Sequence, residues 1–240
     1  TYLQTWPEKL LSCEQQKQFS SLTQLRQEGQ PVAYLLGCRS FWTLELFVSP
    51  STLIPRPDTE ILVEYALGLL VPDNSDVLDL GTGTGAIALA LASERPEWRV
   101  TASDAFPDVV ALAKKNAKHN LLERVDVVCS SWFESFKNKH FHLIVSNPPY
   151  IDSQDPHLSQ GDVRFEPLTA LVANENGMAD IRKIVRESVN HLNTKGWLMI
   201  EHGYKQGEMV RSCFENSGFN KVETVCDFGG NERVTVGQVS

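Results

Sequence analysis

The pattern of apolar and polar positions changes near residue 57, and the two parts of the chain predict different structures. Residues 14–27 are mostly polar with apolar positions at helical spacing, which predicts an amphipathic helix. Residues 41–48 are aromatic and partly alternating, as in a strand pair or hairpin. The prolines of residues 50–57 then form a stiff connector, because each proline fixes φ and removes a backbone donor. We therefore predict a domain boundary near residue 57.

Downstream of this boundary, short apolar runs alternate with segments of helical periodicity. Alternating β and α units predict a mostly parallel sheet that is covered by helices on both faces. The last two apolar runs have no helix between them, which predicts an antiparallel hairpin on one edge. The predicted strands lie at residues 77–80, 98–103, 125–129, 141–146, 197–200, 221–226 and 233–238. The predicted helices lie at residues 58–70, 86–93, 107–120, 178–192 and 206–216.

These elements predict the α/β fold class, with a doubly wound, mostly parallel sheet of the Rossmann-like kind. The predicted domains are residues 58–240, which hold this sheet, and residues 1–57, a small helical segment with a β-hairpin connector. The composition fits this prediction, because 42% hydrophobic and 22% charged residues are typical of a globular protein. A chain of 240 residues is also long enough to bury a core without disulfides.

Charge and cysteine content narrow the class of protein further. The net charge of −8 disfavours a broad contact with phosphates, so no direct nucleic-acid binding is expected. The five cysteines form no C-x-x-C pair and the histidines no H-E-x-x-H motif, so no metal site is predicted. Reduced thiols in a cytoplasmic protein are the expected state. No apolar run approaches the roughly 20 residues that span a bilayer, so no membrane contact is expected.

A glycine-rich turn with the sequence Asp-Leu-Gly-Thr-Gly-Thr-Gly occupies residues 79–85, between the first predicted strand of the sheet and a helix. Its glycines allow a tight turn and the close approach of a ligand, which binds beyond the carboxyl ends of parallel strands. Because residue 86 is alanine, the turn does not fit the dinucleotide pattern G-x-G-x-x-G. It resembles instead the first motif of class I S-adenosylmethionine methyltransferases. Its candidate cofactor-binding residues are Asp79, Gly81, Thr82, Gly83, Thr84 and Gly85.

Three further residues are candidates for binding a nucleoside. Asp104 ends the second strand, where a carboxylate can accept hydrogen bonds from both ribose hydroxyls. Nicotinamide enzymes use the same contact, so Asp104 alone does not choose between the cofactors. Trp132 follows the third strand and can stack on an adenine ring. Ser131 stands where many methyltransferases carry an acidic residue for the adenine amino group, so a hydroxyl or backbone group would make that contact here.

The segment Asn147-Pro148-Pro149-Tyr150 follows the fourth strand and therefore lies beside the same end of the sheet. The lone pair of an amide nitrogen is delocalised, and a general base near neutral pH hardly deprotonates such a group. Two acceptors, the Asn147 side-chain carbonyl and the Pro148 backbone carbonyl, can instead hold both N–H bonds in line with a sulfonium methyl. The prolines stiffen this loop and Tyr150 is expected to pack flat on the target, so we predict all four residues to bind the substrate. Asn147 is also a candidate cofactor contact.

This four-residue signature is typical of amino-directed methyltransferases, whose targets include adenine, cytosine, guanine and glutamine side chains. The signature thus indicates the chemistry and leaves the substrate open.

Several segments together resemble the bacterial HemK/PrmC family of release factor glutamine methyltransferases. The resemblance implies methyl transfer from S-adenosylmethionine, with S-adenosylhomocysteine as product, to the glutamine of the Gly-Gly-Gln motif in class-one peptide-chain release factors. It also implies a small N-terminal helical domain joined by a β-hairpin to the catalytic domain. Because the chain opens at Thr1 rather than Met, residues 1–57 are expected to hold only the remnant of that domain. The matching segments are residues 53–60, 79–85, 147–150, 155–157, 163–168, 177–180 and 231–235.

The resemblance also places residues 53–57 near the transferred methyl group, with Arg56 as a candidate substrate anchor. An ion pair of Arg56 with Asp58 or Glu60 is the alternative interpretation. Two other functions stay open at this point. One is a nucleic-acid amino methyltransferase that uses the same Asn-Pro-Pro-Tyr loop, against which the acidic balance argues. The other is a non-catalytic nucleoside-binding module that is associated with translation.

Overall fold

The computed structural model describes residues 2–240 and contains two β-sheets. A two-stranded antiparallel hairpin is formed by β1 and β2. The main sheet has seven strands in the order β5-β4-β3-β6-β7-β9-β8, in which β9 runs antiparallel to both of its neighbours and the other six strands share one direction. The predicted α/β fold class and its antiparallel edge hairpin are therefore confirmed. The strands are β1 Cys38–Phe41, β2 Leu44–Phe47, β3 Asp76–Leu80, β4 Arg99–Asp104, β5 Asp126–Cys129, β6 Phe141–Ser146, β7 Leu192–Glu201, β8 Asn220–Cys226 and β9 Glu232–Gln238.

Helices cover both faces of the main sheet. Along β3 the side chains alternate, so that Val77 joins one buried cluster and Leu78 joins the other. The first cluster also holds α5, which is buried along almost its whole length because its sequence is apolar on every side. The second cluster holds α8 and α9. The helices are α1 Tyr2–Thr5, α2 Cys13–Gln27, α3 Val32–Leu36, α4 Glu60–Gly68, α5 Ala86–Glu94, α6 Pro107–His119, α7 Asn174–Gly177, α8 Ala179–Ser188 and α9 Gly207–Asn216.

The N-terminal hairpin packs on the main sheet domain. Phe41 and Leu46 of the hairpin are buried in the first cluster. Asn116 of α6 accepts a hydrogen bond from the Phe47 backbone N–H at 2.8 Å and donates one to its carbonyl at 3.0 Å. The hairpin is thus fixed to the domain by both packing and backbone hydrogen bonds. The division of the chain near residue 57 stays a prediction.

The largest difference from the predicted elements lies around residue 190. The helix predicted for residues 178–192 ends at Ser188, and Leu192 already begins β7. The reason is that Leu192 pairs with Phe141 across a bulge, so the strand gains pairing partners that a local pattern does not reveal. Among residues 2–240, no helix is long and apolar enough to cross a bilayer.

Candidate active site

A cavity of about 320 Å³ opens at the carboxyl ends of β3, β4 and β6. This is the edge at which open parallel sheets bind ligands. The structure brings ten predicted site residues together in the cavity wall and leaves four outside it. Those in the wall are Arg56, Gly81, Thr82, Gly83, Thr84, Asp104, Ser131, Trp132, Asn147 and Pro149. Those outside the wall are Asp79, Gly85, Pro148 and Tyr150.

The glycine-rich turn owes its shape to backbone angles that side chains disfavour. Gly81 and Gly83 have φ values of 68° and 56°, in the left-handed region where glycine carries no steric penalty. A Cβ atom on Gly81 would lie 3.5 Å from the ring of Trp132. The turn therefore lets its backbone face the cavity while Trp132 covers one side of it.

Asp79 supports this turn from inside the domain. Its side chain is fully buried, and its Oδ2 accepts hydrogen bonds from the Thr82 hydroxyl at 2.6 Å and from the Ala88 N–H at 3.2 Å. Burial raises the pKa of this carboxyl to about 7, against the effect of those two donors. The Asp79 side chain thus bonds the turn and α5 and lies outside the cavity wall, and its contact with the cofactor stays a prediction.

We expect Asp79→Asn to change how stability depends on pH. The folded pKa of about 7 lies above the ordinary value of 3.8, so the folded protein keeps a proton that the unfolded chain has released. The contribution of Asp79 to the free energy of unfolding is therefore present at low pH and is lost as the pH rises through about 7. Urea unfolding should show that this loss is smaller in Asp79→Asn by at least about 1 kcal/mol. The same pH dependence in both proteins would contradict this role, and Asp73→Asn, in the exposed loop before β3, is the control.

Asp104 lies at the end of β4 and faces the cavity. Its Oδ2 accepts from the Gly83 N–H at 3.1 Å, and its Oδ1 accepts from the Phe106 N–H at 3.2 Å. Burial raises the pKa of this carboxyl, while the backbone donors act to lower it. Because each carboxylate oxygen has two acceptor sites, Asp104 retains capacity for two hydroxyl groups of a ligand.

Trp132 and Ser131 form the part of the cavity wall beside the glycine turn. Trp132 has a φ of 45°, and its carbonyl accepts a hydrogen bond from the Ser130 hydroxyl at 3.1 Å. The residue is half-buried, and its ring packs on the second hydrophobic cluster. The wall therefore offers a flat aromatic group and a small hydroxyl, and their contacts with adenine stay predictions.

Asn147 follows β6 and projects into the cavity wall. Its Nδ2 donates a hydrogen bond to the Thr59 Oγ1 at 3.2 Å. Because the NH₂ group is engaged with Thr59, the carbonyl Oδ1 is the polar atom that the side chain offers to a ligand. The structure therefore supplies the orientation on which the predicted role of Asn147 depends.

The other residues of this loop divide between the wall and the core. Pro149 lines the cavity and Pro148 is buried. Tyr150 packs on the second hydrophobic cluster, and its backbone carbonyl accepts from the Gln206 Nε2 at 3.0 Å. Burial also raises the pKa of the Tyr150 hydroxyl. The Tyr150 ring packs on the core and lies outside the cavity wall, and its contact with the substrate stays a prediction.

Arg56 faces the cavity from the N-terminal side. It forms an ion pair with Glu166, whose side chain is fully buried and whose Oε2 accepts from the Ile54 N–H at 3.1 Å. The alternative partners are engaged elsewhere, since Asp58 lies 3.3 Å from Arg233 and Glu60 accepts from the Trp42 N–H at 2.8 Å. Glu166 thus ties residues 54–56 to the loop that follows residue 150.

We expect Glu166→Gln to lower the free energy of unfolding by about 1 kcal/mol. Ile54 and Arg56 bond different oxygens of Glu166, so a glutamine would place its NH₂ group against one of these two donors. Chemical denaturation measures this change, with Glu123→Gln, an exposed residue before β5, as the control. Equal unfolding free energies for Glu166→Gln and the wild type would show that the pair does not stabilise the cavity wall.

Several polar residues at this site were not among the predicted site residues, and two of them lie beside Asn147. Thr59 lines the cavity and is almost fully buried, and Glu201 lies beneath it at the end of β7. The sequence did contain signals for both. Thr59 falls in the segment 53–60 that carries the family resemblance, and Glu201 directly follows a predicted strand.

Family models and curated relatives agree on the class of protein. The model described as "Methyltransferase small domain" matches residues 58–162, and the model "PrmC N-terminal domain" matches residues 1–37. The release factor glutamine methyltransferase of Salmonella typhimurium is 57% identical over 238 residues, which cover 99% of this chain and 86% of that protein. The proteins of the same name from Escherichia coli K12 and Pseudomonas aeruginosa are each 55% identical over the same shares of both chains.

Solved structures of methyltransferases share the fold at low identity. A methyltransferase from Pyrococcus furiosus superposes with a TM-score of 0.62 at 17% identity, covering 83% of this chain and 90% of its own. The catalytic domain of hMettl16 in complex with an RNA hairpin superposes with a TM-score of 0.67 at 18% identity, covering 87% and 81%. These structures support the fold, and the identity and coverage of the curated relatives decide the family. The chain belongs to the release factor glutamine methyltransferase family.

Proposed function

We propose that the protein transfers a methyl group from S-adenosylmethionine to the side-chain amide nitrogen of the glutamine in the Gly-Gly-Gln motif of class-one peptide-chain release factors. The observation that carries this proposal is the orientation of Asn147, whose NH₂ group is held by Thr59 so that its carbonyl oxygen is left for a ligand. The names of the relatives support the choice of substrate.

The residues of the cavity fit S-adenosylmethionine. The turn at residues 81–84 offers backbone rather than side chains, so a ligand can approach it closely. Asp104 would accept hydrogen bonds from the ribose hydroxyls, and Trp132 would stack on the adenine ring. When bound, the cofactor supplies an electrophilic methyl group and becomes S-adenosylhomocysteine.

The residues of the Asn-Pro-Pro-Tyr loop would then orient the substrate. The Asn147 Oδ1 accepts one N–H of the glutamine amide, and the Pro148 carbonyl oxygen accepts the other. These two acceptors fix the direction of the nitrogen and stabilise the positive charge that develops on it. Pro149 and Arg56 stand in the cavity wall, where they exclude water and bind the neighbouring substrate backbone. No residue has to deprotonate the amide before transfer, because the methylated nitrogen becomes acidic and then releases one of its two protons to water.

A labelling experiment tests this proposal against both alternatives. The protein is incubated with methyl-labelled S-adenosylmethionine and, in separate reactions, with a purified release factor, with DNA and with RNA. We expect label on the release factor alone, and none on a release factor whose motif glutamine is replaced by alanine. Label only on nucleic acid would identify a nucleic-acid amino methyltransferase. An absence of label in every reaction would indicate a non-catalytic module.

A further inference from the structure

The pairing of two strands brings a buried carboxyl group next to the Asn-Pro-Pro-Tyr loop. Ser146 at the end of β6 pairs with Ile200 on the parallel strand β7. The residues that follow, Asn147 and Glu201, therefore lie side by side at the carboxyl edge of the sheet. Glu201 is only 2% exposed, and its Oε2 is buried without a hydrogen-bond partner among the described residues. A buried carboxyl oxygen without a hydrogen-bond partner lowers the stability of the fold, so its presence calls for an explanation.

Groups from three segments surround this carboxyl, namely residues 58–59, the loop that begins at Asn147, and β9. Thr59 at the start of α4 and Asn147 at the end of β6 carry polar groups that lower the pKa of Glu201 and so favour its ionised form. Arg233 of β9 attracts the ionised form, and Asp58 opposes it. The ionised form of Glu201 in turn raises the pKa of the Tyr150 hydroxyl.

Burial is the largest of these effects and raises the pKa of Glu201 to about 7. The carboxyl therefore changes its protonation state near neutral pH. Glu201 has no part in the proposed binding of the cofactor or in the two acceptors for the substrate amide. Its position beside Asn147 therefore needs an explanation.

The explanation lies in what an ionised carboxylate can bond. A carboxylate is an acceptor only, whereas the Asn147 amide has a donor end and an acceptor end. A carboxylate beside that amide favours the orientation in which the NH₂ group points inward, toward Glu201 and Thr59. The carbonyl oxygen then points to the cavity, which agrees with the 3.2 Å hydrogen bond from Asn147 Nδ2 to Thr59 Oγ1.

We propose that Glu201 is a positioning residue that, with Thr59, holds the Asn147 amide with its carbonyl oxygen toward the substrate. The inference rests on the proposed function, because it needs a substrate N–H for that oxygen to accept. A protonated Glu201 carries an O–H donor and can bond the Asn147 oxygen instead, which turns the acceptor away from the substrate. Methyl transfer should therefore require the ionised form of Glu201.

The test compares the pH profiles of kcat for the wild type and Glu201→Gln at saturating concentrations of both substrates. Saturation removes any pH dependence of cofactor binding, such as Asp79 would cause. We expect the wild-type kcat to rise with pH through about 7 and to reach a plateau above it. Glu201→Gln should lose that rise and have a kcat lower by about tenfold on the plateau, because glutamine has a donor as well as an acceptor. Glu223→Gln, an exposed carboxyl on the edge strand β8, should keep the wild-type profile.

Two further measurements separate positioning from a structural role. Thermal unfolding and the calorimetric affinity for S-adenosylmethionine should differ little between Glu201→Gln and the wild type. Thr59→Val, which keeps the side-chain shape and removes the hydroxyl, should also lower kcat with little change in cofactor affinity. If Glu201→Gln does not fold, the kcat of Thr59→Val and the pH profile of the wild-type kcat still test the positioning role.

The possible outcomes are distinct. A wild-type protein that does not methylate the release factor would overturn the proposed function itself. An active wild type whose rise in kcat near pH 7 persists in Glu201→Gln would overturn the positioning role. Unchanged turnover in both Glu201→Gln and Thr59→Val would also overturn the positioning role.

Discussion

We expect the replacement of Asn147 by alanine to lower kcat by about a hundredfold or more and to change the affinity for S-adenosylmethionine much less. The reason is that Asn147 Oδ1 is the acceptor that the cavity presents to the amide, and its NH₂ group is already fixed by Thr59. Loss of one preorganised polar contact to a developing charge costs about 2.7–4 kcal/mol in the transition state. In the proposed site the cofactor would be bound mainly by the turn and by Asp104, which this substitution leaves in place.

Steady-state kinetics with a release factor, together with calorimetry for the cofactor, measures both quantities for Asn147→Ala. Asn190→Ala is the matched control, because Asn190 lies in an exposed turn after α8, away from the cavity. Normal turnover in Asn147→Ala would remove this residue from the mechanism. A loss of cofactor affinity as large as the loss of turnover would instead indicate that the substitution disturbs the whole cavity.

Asp104→Ala is expected to weaken the binding of S-adenosylmethionine by about 1–3 kcal/mol, or about five- to 150-fold in Kd. Two effects combine in this change. The ribose hydroxyls lose their acceptors, and the N–H groups of Gly83 and Phe106 lose the carboxylate that holds the turn against β4. The second effect should also lower the midpoint of thermal unfolding in the absence of cofactor.

Calorimetry of Asp104→Ala tests this expectation, with Asp73→Ala in the exposed loop before β3 as the control. Asp104→Asn is a useful intermediate, because it keeps one acceptor oxygen and replaces the other with a donor that faces a backbone N–H. We expect its affinity to fall between that of the wild type and that of the alanine variant. Unchanged affinity in Asp104→Ala would exclude the carboxylate from the binding site.

The sequence was sufficient to predict the sheet and the edge at which the site lies. Buried parallel strands are short apolar runs, so each strand of the main sheet could be located without reference to distant residues. The motifs at residues 79–85 and 147–150 follow two of these strands directly. Because parallel strands end at one edge, the prediction that both motifs share a cavity needed only the fold.

Local sequence patterns did not predict the contacts between segments that are distant along the chain. Arg56 pairs with Glu166, which is 110 residues away, rather than with the neighbouring acidic residues that the sequence suggested. Glu201 reaches Asn147 through the register of two strands that a periodicity does not specify. The burial of Asp79 could not be predicted either, since the spacing of the glycine motif does not reveal on which side of the turn the carboxyl lies.

The most direct test of the account is a crystal structure of the protein with S-adenosylhomocysteine and a peptide that contains the Gly-Gly-Gln motif. We expect the peptide glutamine to enter the cavity with its amide nitrogen about 3 Å from both the Asn147 Oδ1 and the Pro148 carbonyl oxygen. A glutamine amide that contacts neither oxygen, or an Asn147 side chain that turns its NH₂ group toward the peptide, would contradict the account.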